Sequence, residues 1–296
     1  MTDANASELT FAGPASEMAR AAGSLLRFHY ERGVATEYKG EVDIVTVADR
    51  ESERLLVEKL RARWPEHGIV GEEGTRARMD CEYRWYIDPL DGTTNFSHGF
   101  PAFCVSMGLE HRPAGTPEDT DGELVAAVIY DPLRNEMFMA ERSRGAFLNG
   151  RPVHVSATKT MAESLIATGF PSRKRHGNPN VHFYHEVTLR SHGVRRAGSA
   201  ALDLAYVACG RLDGYWEFNL NSWDTAAGVL LVRESGGVVT YVDDSPFRLA
   251  SAEVLASNGK IHAELVHLFG DIFAGRNLEP IPTPGEFAAL RKSSHA

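Results

Sequence analysis

The chain changes rhythm near residue 156. Between Phe103 and Val155 short apolar runs alternate with turn residues, namely Gly122, the stretch Pro132-Leu133-Arg134-Asn135 and the pair Asn149-Gly150. Asn-Gly between apolar runs is a strong hairpin signal, because both residues tolerate positive φ. An antiparallel meander is expected there. Beyond 156 strand-like and helix-like stretches alternate instead. Strands are expected at Ser164 to Thr168, Val194 to Ala197, Leu212 to Phe218, Val238 to Val242 and Val254 to Ser257. Helices are expected at Val181 to Ser191, Ser199 to Ala208, Asp224 to Glu234 and Ile261 to Phe269. Such alternation implies helices covering a sheet. The division expected is therefore 1–155, 156–270 and a Pro-rich, basic tail at 271–296.

Ahead of the meander, Pro14 suits the first turn of a helix whose apolar positions Met18, Ala21, Ala22, Leu25 and Leu26 recur at helical spacing up to Gly33. The β-branched run from Asp43 to Asp49 reads as a strand. A helix from Glu51 to Arg63 follows, with Leu55, Leu56 and Leu60 as its stripe, and Trp64-Pro65 stops it. Two short apolar runs then end in acids: Ile69-Val70-Gly71-Glu72-Glu73 and Trp85-Tyr86-Ile87-Asp88.

Acids thus occupy strand ends or helix starts in four separate stretches: Asp49, Glu72-Glu73, Asp88 with Asp91, and Asp224. Unpaired carboxylates about 4 Å apart repel by roughly 4 kcal/mol per pair at an effective dielectric of 20. If the fold gathers them, a cation must join them. Oxygen donors without nearby Cys or His select a hard ion, Mg²⁺ above all. Taken alone, Asp88-Pro89-Leu90-Asp91-Gly92 is also a good turn sequence. Its local order fits a metal better. The residue before proline is held extended, so Asp88 stays at the end of its strand, while Pro89 turns the chain and exposes the Leu90 carbonyl. Gly92-Thr93-Thr94-Asn95 then offers backbone N–H groups where a phosphate can sit.

A formal charge of −9 over 296 residues argues against a nucleic-acid partner. The basic runs Arg173-Lys174-Arg175 and Arg195-Arg196 read as solvated faces. Bound divalent ions would reconcile an acidic pocket with an anionic substrate. The spacing of His182 and His185 does not suit zinc. Three widely spaced cysteines, Cys81, Cys104 and Cys209, read as reduced core residues. The opening stretch lacks a signal-peptide pattern, and no run of apolar residues is long enough to cross a membrane, so a cytoplasmic address is expected.

Gly71-Glu72-Glu73, the segment from Asp88 to Phe96, and Trp223-Asp224-Thr225-Ala226-Ala227-Gly228, in this order, resemble the motifs of the inositol monophosphatase family. The resemblance covers about residues 14 to 270. It implies a layered αβαβα sandwich of the α/β (α+β) sugar-phosphatase type, a homodimer, inhibition by lithium and two or three Mg²⁺ ions per site. It implies that Glu72, Asp88 and the Leu90 carbonyl bind one ion, and that Asp88, Asp91 and Asp224 bind a second, with Glu72 near a third. Thr93 and Asp49 resemble the pair that orients the attacking water, with Glu72 beside them. Gly92, Thr93 and Thr94 would cradle phosphate. Glu73 faces away from its neighbour on an extended chain and is expected beside the site or at the surface.

The same resemblance places Asp91, Gly198, Ser199, Ala200, Glu217 and Asp224 around the substrate. Ser199 also suits a helix N-cap. An acid at Glu217, ending an apolar strand, would be costly to bury without a partner. It suits polyol hydroxyls and repels a second phosphate, which favours inositol 1-phosphate as the small-molecule substrate. Fructose 1,6-bisphosphate, which would want Arg173, Lys174 or Arg195 near the site, 3'-phosphoadenosine 5'-phosphate and histidinol phosphate are alternatives. A different class of function is a regulatory binding protein, as some bacterial relatives are through partners of the transcription apparatus. The intact acid set favours catalysis.

Overall fold

The structure, a computed structural model, describes residues 9–33, 36–38, 44–117, 120–170, 178, 180–281, 283 and 285. Helix α1 (Ala12–Arg32) turns small residues inward, with Ala12, Ala15, Ala19, Ala22 and Gly23 buried beside Met18 and Leu26. Strands β1 (Thr36–Tyr38) and β2 (Ile44–Thr46) pair antiparallel. The expected strand up to Asp49 stops three residues short, and Asp43 lies outside the described residues. Helix α2 (Val47–Arg63) begins at once, because Thr46 caps it by accepting from Ala48 N while Asp49 reaches back to the Thr46 amide. This capping box satisfies amides that a β-branched run would leave unpaired, so it overrides strand propensity.

Strands β3 (Gly68–Gly71), β4 (Arg76–Ala77) and β5 (Tyr83–Asp91) lead to the short helix α3 (Thr93–Ser97). The meander follows: β6 (Cys104–His111), β7 (Glu123–Asp131), β8 (Glu136–Glu141), β9 (Gly145–Leu148) and β10 (Arg151–Val153). Together these strands form a sheet in the order β10-β9-β8-β7-β6-β5-β3-β4. The hairpin turn between β9 and β10 is Asn149-Gly150, with φ of 49° and 78°. In this sheet β3 and β5 pair in parallel, Gly71 standing opposite Ile87.

β5 does not end at Asp88 as expected. Asp88 pairs with Ser106 and Asp91 with Cys104, so one extra residue on β5 makes a bulge at Pro89-Leu90. Proline cannot donate to the ladder, and a bulge is where a strand tolerates it. The reversal comes later, at Gly92, whose φ is 96°.

The second sheet is built from β11 (Leu165–Thr168), helix α4 (Asn180–Arg190), β12 (Gly193–Arg195), helix α5 (Ala200–Ala208), β13 (Gly214–Phe218), helix α6 (Ser222–Glu234), β14 (Val238–Thr240), β15 (Glu253–Ser257) and helix α7 (His262–Ala274). Its order is β12-β11-β13-β15-β14. α1 and α2 pack on one face of the first sheet, α5 and α6 lie between the two sheets, and α4 and α7 cover the far side of the second. This is the αβαβα layering expected from the resemblance. α6 is buried continuously from Thr225 to Val232, as a helix sandwiched between sheets must be. It packs against β5, β6 and β7, so Asp224 at its start is brought to the end of β5. Among the described residues no helix is long and apolar enough to cross a membrane. All three cysteines are free; Cys104 is buried and the other two half-buried.

Candidate active site

Parallel pairing of β3 and β5 is what assembles the acids. With Gly71 opposite Ile87, the next residue on each strand is a carboxylate, Glu72 beside Asp88, and the Glu72 amide donates to the Ile87 carbonyl at 3.3 Å. The two side chains are close enough to act on each other. Asp88 Oδ1 also accepts from Leu90 N at 2.9 Å across the bulge. Asp91 is buried, its Oδ2 accepting from Ser199 Oγ at 2.6 Å and Ala201 N at 2.8 Å. Asp224, in the first turn of α6, accepts through Oδ2 from Asn221 N at 2.6 Å.

Burial, and then the nearby Glu72, Asp91 and Asp224, push the Asp88 carboxyl well above its ordinary range. Burial also raises Asp91, against the opposing bonds from Ser199 and the α5 amides. Asp224 is pushed up to about 7, by burial first and by Asp91 second. Four acids from three distant segments therefore lie close together, and Asp88, Asp91 and Asp224 each prefer to be neutral or to face a cation. Among the described residues, no three or more acidic, histidine or cysteine side chains yet stand in a chelating arrangement. The donor chemistry nonetheless fits Mg²⁺: oxygen alone, with the Leu90 carbonyl 3.1 Å from Thr93 Oγ1 on the same turn.

Asp49 is fully buried. Its Oδ2 accepts from Thr46 N at 2.7 Å and Thr46 Oγ1 at 2.6 Å, and its Oδ1 accepts from Thr93 Oγ1 at 2.9 Å. Burial raises its carboxyl, against the bonds from the two threonines. Because Thr93 donates its only hydroxyl proton, its lone pairs remain to accept from a third group. Gly92 supplies the left-handed step into α3, whose first residues are Thr93 and Thr94, half-buried and exposed respectively.

The second half closes the site through α5. Ser199 caps it, accepting from Leu202 N at 3.4 Å while donating to Asp91. Ser199 and Ala200 are buried, whereas Gly198 is half-buried. Asn95 Nδ2 donates to the carbonyls of Ala197, at 2.8 Å, and Gly198, at 3.2 Å, tying α3 to this loop. Glu217 is pushed up to about 8 by burial, against a hydrogen bond from Tyr215 OH at 2.6 Å to its Oε2. Arg195 and Arg196 are exposed; Arg173 and Lys174 lie outside the described residues.

Reading the sequence missed several participants. Ser52 Oγ donates to the Pro89 carbonyl at 2.9 Å. Glu53 accepts from the Glu73 amide at 2.8 Å. Both are buried on α2 three and four positions beyond Asp49, on the face of Leu56 and Leu60. Polar residues at apolar positions of a helical stripe were the available signal. Asp203, on α5, is buried with Oδ2 unpartnered, and burial followed by Glu217 raises its carboxyl well above the usual range.

The model of the inositol monophosphatase family matches residues 8–272. A protein of Synechocystis named inositol-1-monophosphatase is 44% identical over 254 residues, covering 85% of both chains. One of Pseudomonas aeruginosa named Nus factor SuhB is 42% identical over 256 residues, 84% of this chain and 91% of that one. Among solved structures, inositol monophosphatase from Anabaena superposes with a TM-score of 0.78 at 41% identity, covering 92% of this chain and 97% of that one.

Proposed function

Since the chain belongs to the inositol monophosphatase family and is a phosphoric monoester hydrolase, we propose that its substrate is inositol 1-phosphate and its cofactor Mg²⁺. The observation that carries this reading is the meeting of Glu72, Asp88, Asp91 and Asp224 beside the Asp49–Thr93 pair. Glu72, Asp88 and the Leu90 carbonyl would hold one ion, and Asp88, Asp91 and Asp224 another, with Glu72 near a third; bound there, the ions would lower the pKa of water and neutralise charge on the phosphoryl and leaving oxygens.

The chain's own residues do the rest. Thr93 Oγ1, its proton engaged by Asp49, accepts a hydrogen bond from water and aims the water oxygen at phosphorus. Glu72 takes the water's proton. The first-turn amides at Gly92, Thr93 and Thr94 hold phosphate oxygens. As the new O–P bond forms, the ester P–O bond breaks in line and the inositol oxygen departs, taking a proton from solvent water. Glu217 and Asp224, with Asp91 and the Gly198-Ser199-Ala200 segment, hold the polyol; Glu217, ionised or neutral, keeps an oxygen that accepts from hydroxyls.

The test is Mg²⁺-dependent phosphate release from inositol 1-phosphate, fructose 1,6-bisphosphate, 3'-phosphoadenosine 5'-phosphate and histidinol phosphate, compared as kcat/KM. Inositol 1-phosphate is expected to rank first, to be inhibited by Li⁺, and to be hydrolysed several orders of magnitude more slowly by Asp91→Asn. A higher kcat/KM for another ester would reassign the substrate. On the same resemblance we propose a homodimer. A second reading, action as a Nus factor, is favoured by the name of its Pseudomonas relative. It would show as a function retained by Asp91→Asn.

A further inference from the structure

Helix α2 presents a polar stripe to the site. Asp49, Ser52 and Glu53, at i, i+3 and i+4, share one buried face. Each reaches a different part of the pocket: Asp49 holds Thr93, Ser52 holds the Pro89 carbonyl in the bulge, and Glu53 holds the turn after β3. The last of these has no place in the reading given above.

Glu53 is 5% exposed. Its Oε2 accepts from Glu73 N at 2.8 Å, and its Oε1 accepts from Thr75 N at 3.2 Å and Thr75 Oγ1 at 2.6 Å. The turn is closed by Gly71 N donating to the Thr75 carbonyl at 2.9 Å. Gly71 has no room for a β carbon, which would fall on the Glu53 carboxylate itself. Carboxylate and turn are therefore packed face to face. Glu72 lies inside that turn, beside Asp88, where like charges favour its swinging out to solvent.

We propose that Glu53 is a positioning residue for the cation pocket: its three hydrogen bonds hold the 71–75 turn against the sheet, keep Glu72 beside Asp88, and so set the affinity for a divalent ion. Glu53 touches no reacting atom. The inference rests on the assignment of Glu72 as a ligand. Residues that orient ligands from behind commonly change metal affinity by about 10- to 100-fold when lost.

The experiment is calorimetric titration of the full chain with Mg²⁺ in the absence of substrate, alongside the Mg²⁺ dependence of activity. Glu53→Ala should weaken binding by about 10- to 100-fold and shift the activity midpoint equally, with kcat at saturating Mg²⁺ nearly retained. Glu53→Gln should fall between, because its amide oxygen can still accept from one side of the turn. Gly71→Ala, which displaces the carboxylate without removing it, should resemble Glu53→Ala and serves where that variant does not fold. Folded variants that bind Mg²⁺ as the wild type does would overturn the proposal, as would loss of kcat at unchanged affinity. Failure of the wild type to bind any divalent ion would instead overturn the ligand assignment beneath it.

Discussion

The hydroxyl of Thr93 donates to Oδ1 of Asp49 at 2.9 Å across 44 residues of sequence. One end of this pair is anchored by the N-cap of α2, because Thr46 donates twice to the other oxygen of the same carboxylate. The other end sits on the first residue of α3, behind the bulge that carries Asp88 and Leu90. Helix capping and, in the proposed mechanism, water orientation thus share one side chain.

Loss of that pair should appear in kcat. Thr93→Val removes the acceptor for water but leaves the sheet intact, so kcat should fall by about 10²- to 10⁴-fold with little change in KM. Asp49→Asn should fall as far and also lose about 1 to 3 kcal/mol of stability, since its amide would face the Thr46 donors. Steady-state phosphate release and urea unfolding measure the two effects. A Thr93→Val enzyme with wild-type kcat would remove the threonine from the mechanism.

The close approach at Gly169 offers a test of the proposed substrate contact at Glu217. A β carbon there would occupy the space of the Glu217 carboxylate. The backbone is held in place by Asn180, whose Nδ2 donates to the Gly169 carbonyl at 2.7 Å, so it cannot easily give way. Gly169→Ala should therefore displace Glu217 and raise KM for inositol 1-phosphate while sparing hydrolysis of a small aryl phosphate. Equal losses on both esters would place Glu217 outside substrate recognition.

The raised acids make a signed prediction. Asp224 and Glu217, at about 7 and 8, lie above their ordinary values of 3.8 and 4.5. Folded protein thus binds more protons than unfolded protein between those limits. The contribution to stability is complete below pH 4 and is lost as pH rises through 7 and 8. The half-buried imidazole of His67 and the buried one of His262, both lowered by desolvation, act in the opposite sense, losing stability as pH falls below about 6.5. Between pH 7 and 8.5 the carboxyls dominate. In EDTA the melting temperature should fall across that window, and saturating Mg²⁺ should flatten or reverse the fall. A metal-free melting temperature that rose instead would contradict the assigned shifts.

Local chemistry was readable and distant contacts were not. Asn149-Gly150 announces its hairpin because the turn needs only its own two residues to adopt positive φ. The β-branched run up to Asp49 turns helical from Val47 because the Thr46-to-Asp49 capping box outweighs β-branching. The bulge at Pro89 was invisible without β6, whose register defines it. Asn95 reaches Gly198 across 103 residues, and nothing local to either marks that bond. The acids themselves stood out because carboxylates at the ends of apolar runs are costly unless something compensates them. What brings Glu72 to Asp88, the parallel pairing of β3 with β5, is a property of the sheet.

The most direct test of the shared cation pocket is anomalous diffraction from crystals grown with Mn²⁺ in place of Mg²⁺. Peaks are expected between Glu72, Asp88 and the Leu90 carbonyl, and between Asp88, Asp91 and Asp224. A well-ordered pocket without a peak at either position, in crystals of active enzyme, would contradict the account.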